Sequence, residues 1–103
     1  MTFTVIFSLR AGQHLDNLYR MISLDSGSAR ADKFVNSIVE YCLGFNTFPE
    51  RGARRDDLWP GLRVVGFKRV ASIAFRVEGE RVVIHGFYYG GKNLEDDLKD
   101  PSH

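Results

Sequence analysis

Apolar and polar residues alternate along residues 3–9, near the start of the chain. Apolar side chains at every second position predict a β-strand with one strongly apolar face. That face carries Phe3, Val5, Phe7 and Leu9. The opposite face carries Thr4, Ile6 and Ser8. The chain therefore opens on a strand whose two faces differ in character.

The segment that follows shows the spacing of two amphipathic helices. Over residues 11–24 the apolar stripe consists of Leu15, Leu18, Tyr19 and Ile22. Residues 25–28 have turn chemistry, so a second helix from about Ala29 to Gly44 should double back as a hairpin. The stripe of that helix consists of Phe34, Ile38, Cys42 and Phe45. Ser28 is predicted to cap it through the side-chain hydroxyl, and Pro49 sets its outer limit.

The second half of the chain predicts a loop followed by three strands. Two prolines and two glycines punctuate residues 49–61, which indicates a loop. The predicted strands are Leu62–Phe67, Val70–Val77 and Arg81–Tyr89. Gly79 supplies the positive φ that a tight turn between the last two strands requires. Gly90 and Gly91 end the last strand and let the chain leave the sheet sharply.

The resulting order is strand, helix, helix, strand, strand, strand. Consecutive strands joined by short turns must be antiparallel, and two amphipathic helices must bury their stripes against a sheet. We therefore predict an α+β domain: an N-terminal strand, a helical hairpin and a three-stranded antiparallel meander, forming one sheet with the helices on one face. The domain is expected to span residues 1–98, with a short polar tail at 99–103. The other sheet face is left uncovered, and we expect a partner there.

Composition excludes two broad classes of protein. Of the 103 residues, 44% are hydrophobic, which fits a folded domain rather than a disordered chain. No apolar run approaches the roughly 18 residues of a membrane span. No signal peptide is recognisable either, so we expect a cytoplasmic protein without membrane contact. Cys42 is the one cysteine and lies in a helical stretch, which predicts a buried structural thiol.

The net charge of +1 conceals two segments of opposite charge. Residues 51–69 contain six basic and two acidic side chains, whereas residues 95–100 contain four acids and one lysine. Such polarity concerns partners rather than fold. The run Arg54–Asp57 leaves two interpretations open, namely locally paired charges in a solvated loop or an anchor for a partner. Trp59 is likewise expected either to pack on the core or to anchor an interface.

Side chains that could cleave RNA without a metal are also present. Such cleavage needs a base, an acid, and cations for the phosphate. The candidate cations are Arg63, Lys68, Arg69, Arg76 and Lys92, and the candidate proton carriers are His85, Tyr88 and Tyr89. Arg63 and Arg76 alternate away from apolar neighbours in their strands, which would give an active face. The basic residues nevertheless concentrate in the loop and acids follow the last strand, which disfavours catalysis.

The histidines indicate structure rather than metal binding. His85 lies in an apolar strand and is expected to be a packed, hydrogen-bonded residue, whereas His14 and His103 are expected to face solvent. No second His, Cys or carboxylate stands at metal spacing near His85, so we expect no metal site. Gly90 and Gly91 lack the fingerprint of a phosphate-binding loop, and we expect no cofactor.

Five motifs of the second half carry a resemblance to a known family. They are Thr47–Leu58, Pro60–Arg63, Ile73–Val77, Arg81–Ile84 and Tyr89–Glu95. Together they resemble the ParE-type toxins of plasmid-stabilisation modules, within the RelE/ParE toxin–antitoxin superfamily. The loop followed by the Pro-Gly-Leu-Arg turn is the most specific part, and the helical hairpin upstream matches in length. The resemblance covers essentially the whole chain up to about residue 98.

This resemblance implies a small antiparallel sheet with an N-terminal helical hairpin, and a toxin neutralised by a cognate antitoxin. The antitoxin would be a small DNA-binding protein whose disordered C-terminal segment wraps the toxin in a hetero-oligomer. ParE toxins poison DNA gyrase by binding, whereas the related RelE toxins cleave mRNA on the ribosome. We therefore expect a gyrase-binding toxin, with a ribosome-dependent endoribonuclease as the alternative and an inactive remnant that only binds its antitoxin as a third possibility.

The resemblance and the charge pattern together nominate site residues. The expected contacts to the target or the antitoxin are Arg54, Arg55, Trp59, Arg63, Lys68 and Arg69. For the nuclease alternative the residues would be Arg63, Arg76, His85, Tyr89 and Lys92. Family members often carry a histidine where Tyr89 stands, and the double glycine that follows departs from a catalytic pattern. We expect binding rather than catalysis.

Overall fold

The computed structural model of the protein describes residues 2–90 and 94–99. The strands are β1 Thr4–Phe7, β2 Ala53–Arg54, β3 Leu62–Phe67, β4 Ala71–Glu78 and β5 Arg81–Tyr89. The helices are α1 Leu9–Ser26, α2 Ser28–Leu43 and α3 Leu94–Leu98, and a 3₁₀ turn, Gly44–Asn46, follows α2. Within this described part of the chain, no helix is both long and apolar enough to cross a membrane.

All five strands belong to one mixed sheet, in the spatial order β1-β5-β4-β3-β2. The last three strands form the predicted antiparallel meander, and β1 lies parallel to β5. The helical hairpin causes this parallel pairing, because it returns the chain to the end of the sheet where β1 begins. There the Phe3 N–H donates to the carbonyl of Asn46 at 2.9 Å. The predicted α+β class is confirmed, and the six predicted elements occur in the predicted order.

The loop predicted over residues 49–61 contains a short strand, which corrects that prediction. β2 pairs antiparallel with Arg63 and Val64 and forms one edge of the sheet. Gly52 permits this close approach, since its φ is +76° and a Cβ there would lie 2.4 Å from the carbonyl oxygen of Val64. A two-residue strand in a segment rich in Pro and Gly leaves no hydrophobic periodicity for a sequence pattern to detect.

The two long helices begin and end differently from the prediction. α1 begins already at Leu9, because the Ser8 hydroxyl accepts a hydrogen bond from the Ala11 N–H at 3.1 Å and caps it. Only Gly27 separates α1 from α2, and its φ of 92° is a conformation that L side chains resist. The predicted cap at Ser28 is wrong. Gly27 occupies the cap position, Ser28 is already helical, and no side chain makes a capping bond.

The main core lies between the helical hairpin and one face of the sheet, as predicted. Its fully buried residues include Ala11, Ile38, Cys42, Phe45, Ile73, Phe75, Val82 and Ile84. The rings of Phe45 and Phe75 lie 4.7 Å apart between centroids and join the end of α2 to the middle of the sheet. Cys42 is a buried structural thiol, and burial raises its pKa to about 12, so it stays protonated at neutral pH.

The second face of the sheet is covered in part by the chain itself, which corrects the prediction of an uncovered face. Leu98 of α3 is 1% exposed and packs into a second cluster. This cluster also contains Leu58, Trp59, Leu62, Val64, Ala74, Tyr88 and Leu94. The Trp59 indole N–H donates to the carbonyl of Leu98 at 2.8 Å, so Trp59 packs within the domain. α3 escaped prediction because a five-residue helix is too short to show a periodic pattern.

Candidate functional site

A β-bulge in β5 concentrates side chains on the second face of the sheet. Between the residues paired with Ala74 and Phe75 of β4, β5 contains one extra residue, His85. The ring of His85 contacts Trp59, and the Gly86 that follows also faces this side. Gly86 has no room for a side chain, since a Cβ there would lie 2.6 Å from the hydroxyl oxygen of Tyr88.

The carboxylate of Asp97 in α3 is the centre of a polar cluster. It accepts hydrogen bonds from the Arg10 guanidinium at 2.8 Å and from the Tyr88 hydroxyl at 2.5 Å. Burial and this neighbouring carboxylate raise the pKa of Tyr88 far above its usual range, so the phenol remains protonated. The Nε2 atom of His14 lies 3.8 Å from the same carboxylate. These contacts fasten α3 to α1 and β5.

A pocket of about 170 Å³ lies between α1 and the end of β5. β1 pairs with β5 only as far as Ile84, so the rest of β5 has an edge without a partner strand on the α1 side. His14 covers part of this edge, because its Nδ1 accepts a hydrogen bond from the Phe87 N–H at 3.0 Å. In the neutral ring the proton therefore lies on Nε2. The pocket wall combines the apolar residues Leu18, Met21 and Phe87 with the polar residues His14, Asn17 and Asp97.

On the second face, His85 lies between Trp59 and Glu78. Its ring meets the Trp59 indole edge-on with centroids 4.8 Å apart, and its Nε2 lies 3.7 Å from a carboxylate oxygen of Glu78. The Nε of Arg76 lies 3.8 Å from the same oxygen. The arrangement brings a histidine, a carboxylate and a cation together on the second face of the sheet, with the Nε2 atom of His85 buried. Within residues 2–90 and 94–99, no group of three or more His, Cys, Asp and Glu side chains could hold a metal ion.

The two adjacent arginines of the loop are neutralised within the chain. Arg54 donates two hydrogen bonds of 3.0 Å to Asp56. Arg55 donates two of 2.9 Å to Asp57 and a further one of 3.0 Å to Glu95 of α3. Hydrogen bonds from these guanidinium groups hold the pKa of Asp56 and Asp57 below the usual range. The basic loop and the acidic C-terminal segment therefore pair with each other.

The hairpin turn between β3 and β4 carries another pair of cations. Lys68 and Arg69 have φ values of 50° and 61°, and the Val70 N–H donates to the carbonyl of Phe67 at 3.1 Å, as in a type I′ turn. They are the two non-glycine residues with positive φ among those that the structure describes. Both side chains are exposed, and neither forms an ion pair within the described ranges.

Comparison with known proteins decides the family. Residues 5–91 match the family model of the ParE toxin of type II toxin–antitoxin system, parDE. The chain belongs to the ParE toxin family. It is similar to Toxin ParE3 of Caulobacter vibrioides (strain ATCC 19089 / CIP 103742 / CB 15), with 33% identity over 84 residues, 82% of this chain and 83% of that protein. It is also similar to a solved structure of the chromosomal ParDE TA system from P. aeruginosa, at 27% identity and a TM-score of 0.75. That match covers 86% of this chain and 97% of the other.

In this ParE-family toxin, the two strand arginines that were predicted as site residues lie on opposite faces of the sheet. Arg63 pairs across the sheet with Phe75, a residue of the main core, so its side chain is on the face that the helices pack against. Arg76 pairs with Leu62, which belongs to the second cluster, so its side chain is on the opposite face. The expectation that both arginines share one active face is therefore wrong. The alternation of each strand was correct, but the register between the strands was needed to compare them.

The remaining nominated residues are distributed over the molecule. Tyr89 lies on the helix side of the sheet, where its ring meets Phe34 edge-on with centroids 5.6 Å apart. His85 lies on the second face, near Arg76 but on the other side of the sheet from Tyr89. Lys92 and His103 lie outside the described residues.

The polar cluster around Asp97 was not predicted from the sequence. His14 was expected to face solvent, and this is wrong, since its side chain is 17% exposed and caps the backbone of β5. Arg10 and His14 stand one helical turn apart, which was the one local signal that they share a face. Their partner Asp97 is far along the chain, so only the folded structure brings the three together.

Proposed function

We propose that this protein is a toxin that acts by binding DNA gyrase, and that a cognate antitoxin holds it inactive in a cytoplasmic hetero-oligomer. The observation that carries binding rather than catalysis is the placement of Arg63 and Arg76 on opposite faces of the sheet. Cleavage of RNA without a metal needs cations and proton carriers that converge on one phosphate. Because the two strand arginines are separated, the residues of the nuclease alternative cannot all act on one phosphate.

Two other proton carriers are engaged in structural contacts, which also supports a binding role. The Tyr88 hydroxyl donates to Asp97, and its strongly raised pKa prevents it from acting as a base near neutral pH. The Nδ1 atom of His14 accepts the Phe87 N–H and is not available to a substrate. These residues hold α3 and α1 against the sheet, and the toxin would act through its outer surface.

For the antitoxin, we propose docking along α1 rather than over the second sheet face, which the chain covers in part. Met21 and Leu24 stand one turn apart on α1 and are 43% and 85% exposed. Met21 also borders the pocket between α1 and β5. A cavity of about 150 Å³ accepts a benzene ring, so this pocket has the size for one large apolar side chain. An amphipathic antitoxin segment would place such a side chain in the pocket and cover Leu24.

Reconstitution with purified components tests this proposal. The toxin should inhibit gyrase supercoiling, the product of the neighbouring antitoxin gene should relieve the inhibition, and ribosome-bound mRNA should stay intact. Leu24→Asp should weaken capture by the antitoxin roughly tenfold or more, since a charge would be buried at the interface. Leu43→Asp is the matched control, because Leu43 on α2 is also exposed, at 47%. Normal supercoiling at saturating toxin would contradict the gyrase proposal.

A ribosome-dependent endoribonuclease is the second candidate, and one observation favours it. His85, Glu78 and Arg76 lie together on the second sheet face, with 3.7 and 3.8 Å between their side-chain atoms. A histidine beside a carboxylate could accept the proton of a ribose 2′-hydroxyl while the arginine binds the phosphate. His85→Ala separates the candidates. It should abolish growth arrest if the toxin is a nuclease and leave gyrase inhibition unchanged if it acts by binding.

A further inference from the structure

Some basic side chains have a carboxylate partner within the described residues and some do not. Arg10, Arg54, Arg55 and Arg76 each have a carboxylate oxygen within 4 Å, on residues distributed over α3, β4 and the loop. Lys68 and Arg69 are exposed and have no such partner within residues 2–90 and 94–99. An outside anion would have to compete with internal carboxylates for the first group, but not for the second. The tip of the β3–β4 hairpin therefore presents two adjacent positive charges that no carboxylate of the described residues neutralises.

The backbone at this tip disfavours the residues that occupy it. A type I′ turn needs positive φ at both central positions, and Asn-Gly or Asp-Gly pairs fill it with least strain. Lys68 and Arg69 occupy both positions with their full side chains. Lys68 gains one contact, with its Nζ 5.3 Å from the centre of the Phe67 ring. This contact explains a lysine at position 68 but not an arginine at position 69. Strain kept at an exposed turn indicates a functional demand on those side chains.

Further cations lie at the same end of the molecule. The ring of Phe34 on α2 meets Phe67, the residue before the turn, edge-on with centroids 5.8 Å apart. The first two turns of α2 therefore lie beside the hairpin tip, and they carry the exposed residues Arg30 and Lys33. Asp32 lies between them and accepts the Tyr19 hydroxyl, which raises the pKa of Tyr19. The cations outnumber this acid, so the end of the molecule is positive.

We propose that the Lys68–Arg69 turn is a contact site for the phosphate backbone of duplex nucleic acid. A projecting turn with two adjacent cations can reach successive phosphates of a duplex without any complementary groove. An acidic peptide would instead need a groove or a strand edge to hold its backbone. The two pockets beside α1 include neither Lys68 nor Arg69 among their lining residues, so the shape of the tip favours the duplex. This contact goes beyond gyrase binding and does not depend on it.

The salt dependence of binding to a labelled DNA duplex of about 20 base pairs tests the proposal. The full-length toxin is compared with Lys68→Asn/Arg69→Gly, which removes both charges and installs the residues that a type I′ turn prefers. This variant should fold, and its thermal midpoint should rise. Each phosphate contact contributes about 0.9 to the slope of log K against log salt, so the variant's slope should be shallower by about 1.8. Arg54→Gln is the matched control, because Arg54 is also exposed but is paired with Asp56, and it should keep the wild-type slope.

The outcomes separate this proposal from its rivals. An unchanged slope in Lys68→Asn/Arg69→Gly, or an equal loss in Arg54→Gln, would overturn it, as would wild-type toxin that shows no duplex binding at low salt. If the double variant loses affinity for the antitoxin but not for DNA, the turn recognises an acidic protein and the proposal is wrong. A supercoiling assay run in parallel reports on gyrase alone. The gyrase proposal can therefore fail while the DNA contact stands, and the reverse.

Discussion

The Arg54–Asp57 loop and the Lys68–Arg69 turn both present adjacent cations, but within the described residues only the loop cations are paired with carboxylates. In the loop, each arginine makes a bidentate pair with the acid two residues later, and Arg55 also reaches Glu95 of α3. The turn has no acid near it in the sequence, since none occurs between Asp57 and Glu78, and neither of its cations forms an ion pair within the described residues. A cluster of basic residues in a sequence therefore predicts a contact surface only where the fold provides no carboxylates to pair with it.

The backbone differs between the two regions in the same sense. The loop is held by β2, by the hydrogen bond from the Gly61 N–H to Asp56, and by the contact with α3. Its arginines therefore contribute to the architecture. The turn is held by its own hairpin, and its residues strain rather than support it. We infer that the loop arginines help to hold the folded structure together and that the turn cations contact a partner. The substitutions below should distinguish these two roles.

Truncation of Leu98, which packs α3 against the second face of the sheet, should have the largest effect on stability. Leu98→Ala should lower the free energy of unfolding by about 3 kcal/mol, because it empties a fully packed position of the second cluster. It should also loosen α3 and with it the bond between Glu95 and Arg55. Chemical denaturation measures the loss. Leu9→Ala is the control, since Leu9 is 81% exposed, and a similar loss in both variants would contradict the packing argument.

Relief of backbone strain in the Lys68–Arg69 turn should stabilise the protein, whereas Leu98→Ala should destabilise it. Lys68→Asn/Arg69→Gly should raise the free energy of unfolding by about 1 kcal/mol, because both positions have positive φ and the new residues tolerate it. Denaturant titration of the variant beside the wild type gives the difference. Arg54→Gln should not stabilise the protein, since it breaks a pair and relieves no strain. A destabilised double variant would show that the two side chains support the fold.

Removal of the carboxylates that pair with Arg55 should leave its charge available to an outside anion, as the charges of Lys68 and Arg69 are. Asp57→Asn/Glu95→Gln removes both carboxylates from Arg55, and the slope of log K against log salt for duplex DNA should steepen by about 0.9. Stability should change by less than about 1 kcal/mol, since these are surface pairs. Asp16→Asn/Glu40→Gln changes the net charge equally at other exposed sites. If that control steepens the slope as much, net charge rather than position governs binding.

The smallest effect should appear in acid. The pKa values of Asp56 and Asp57 lie below 3.8 in the folded protein, so their pairs with arginine stabilise it fully above pH 3.8. That contribution is lost as the pH falls through the lowered pKa values. Stability measured between pH 5 and acid should therefore fall less steeply in Asp56→Asn/Asp57→Asn than in the wild type. Lys68→Asn/Arg69→Gly should follow the wild-type pH profile, because neither substituted side chain is paired with a carboxylate that acid would protonate.

The elements of the fold were predictable where a pattern extends over several turns or strand residues. The stripe of Ile38 and Cys42 and the alternation of Ile73 and Phe75 each led to the correct element and buried face. β2 and α3 were not predictable, because two and five residues contain less than one period of a useful signal. The resemblance of the loop and the motifs after it was enough to identify the family, which the comparisons confirm.

The candidate sites were less predictable than the fold. Alternation placed Arg63 and Arg76 away from their apolar neighbours, but whether they share a face depends on the register between two strands. His14 looked like a surface residue of a helix, and its role follows from an edge of β5 that β1 leaves without a partner strand. Both questions concern residues that are distant in the sequence, whereas hydrophobic periodicity reports only on residues that are close in the sequence.

The class of the fold, the helical hairpin, the meander, the buried Cys42 and the toxin family could all be predicted from the amino-acid sequence. These properties follow from local periodicity, turn residues and motifs, which act over a few residues. That Asp56, Asp57 and Glu95 of α3 pair with Arg54 and Arg55, and that α3 covers part of the second sheet face, follows from the folded structure. The physical reason is that charges and apolar faces interact across space. Which of them remain for a partner is known only once the chain has satisfied its own.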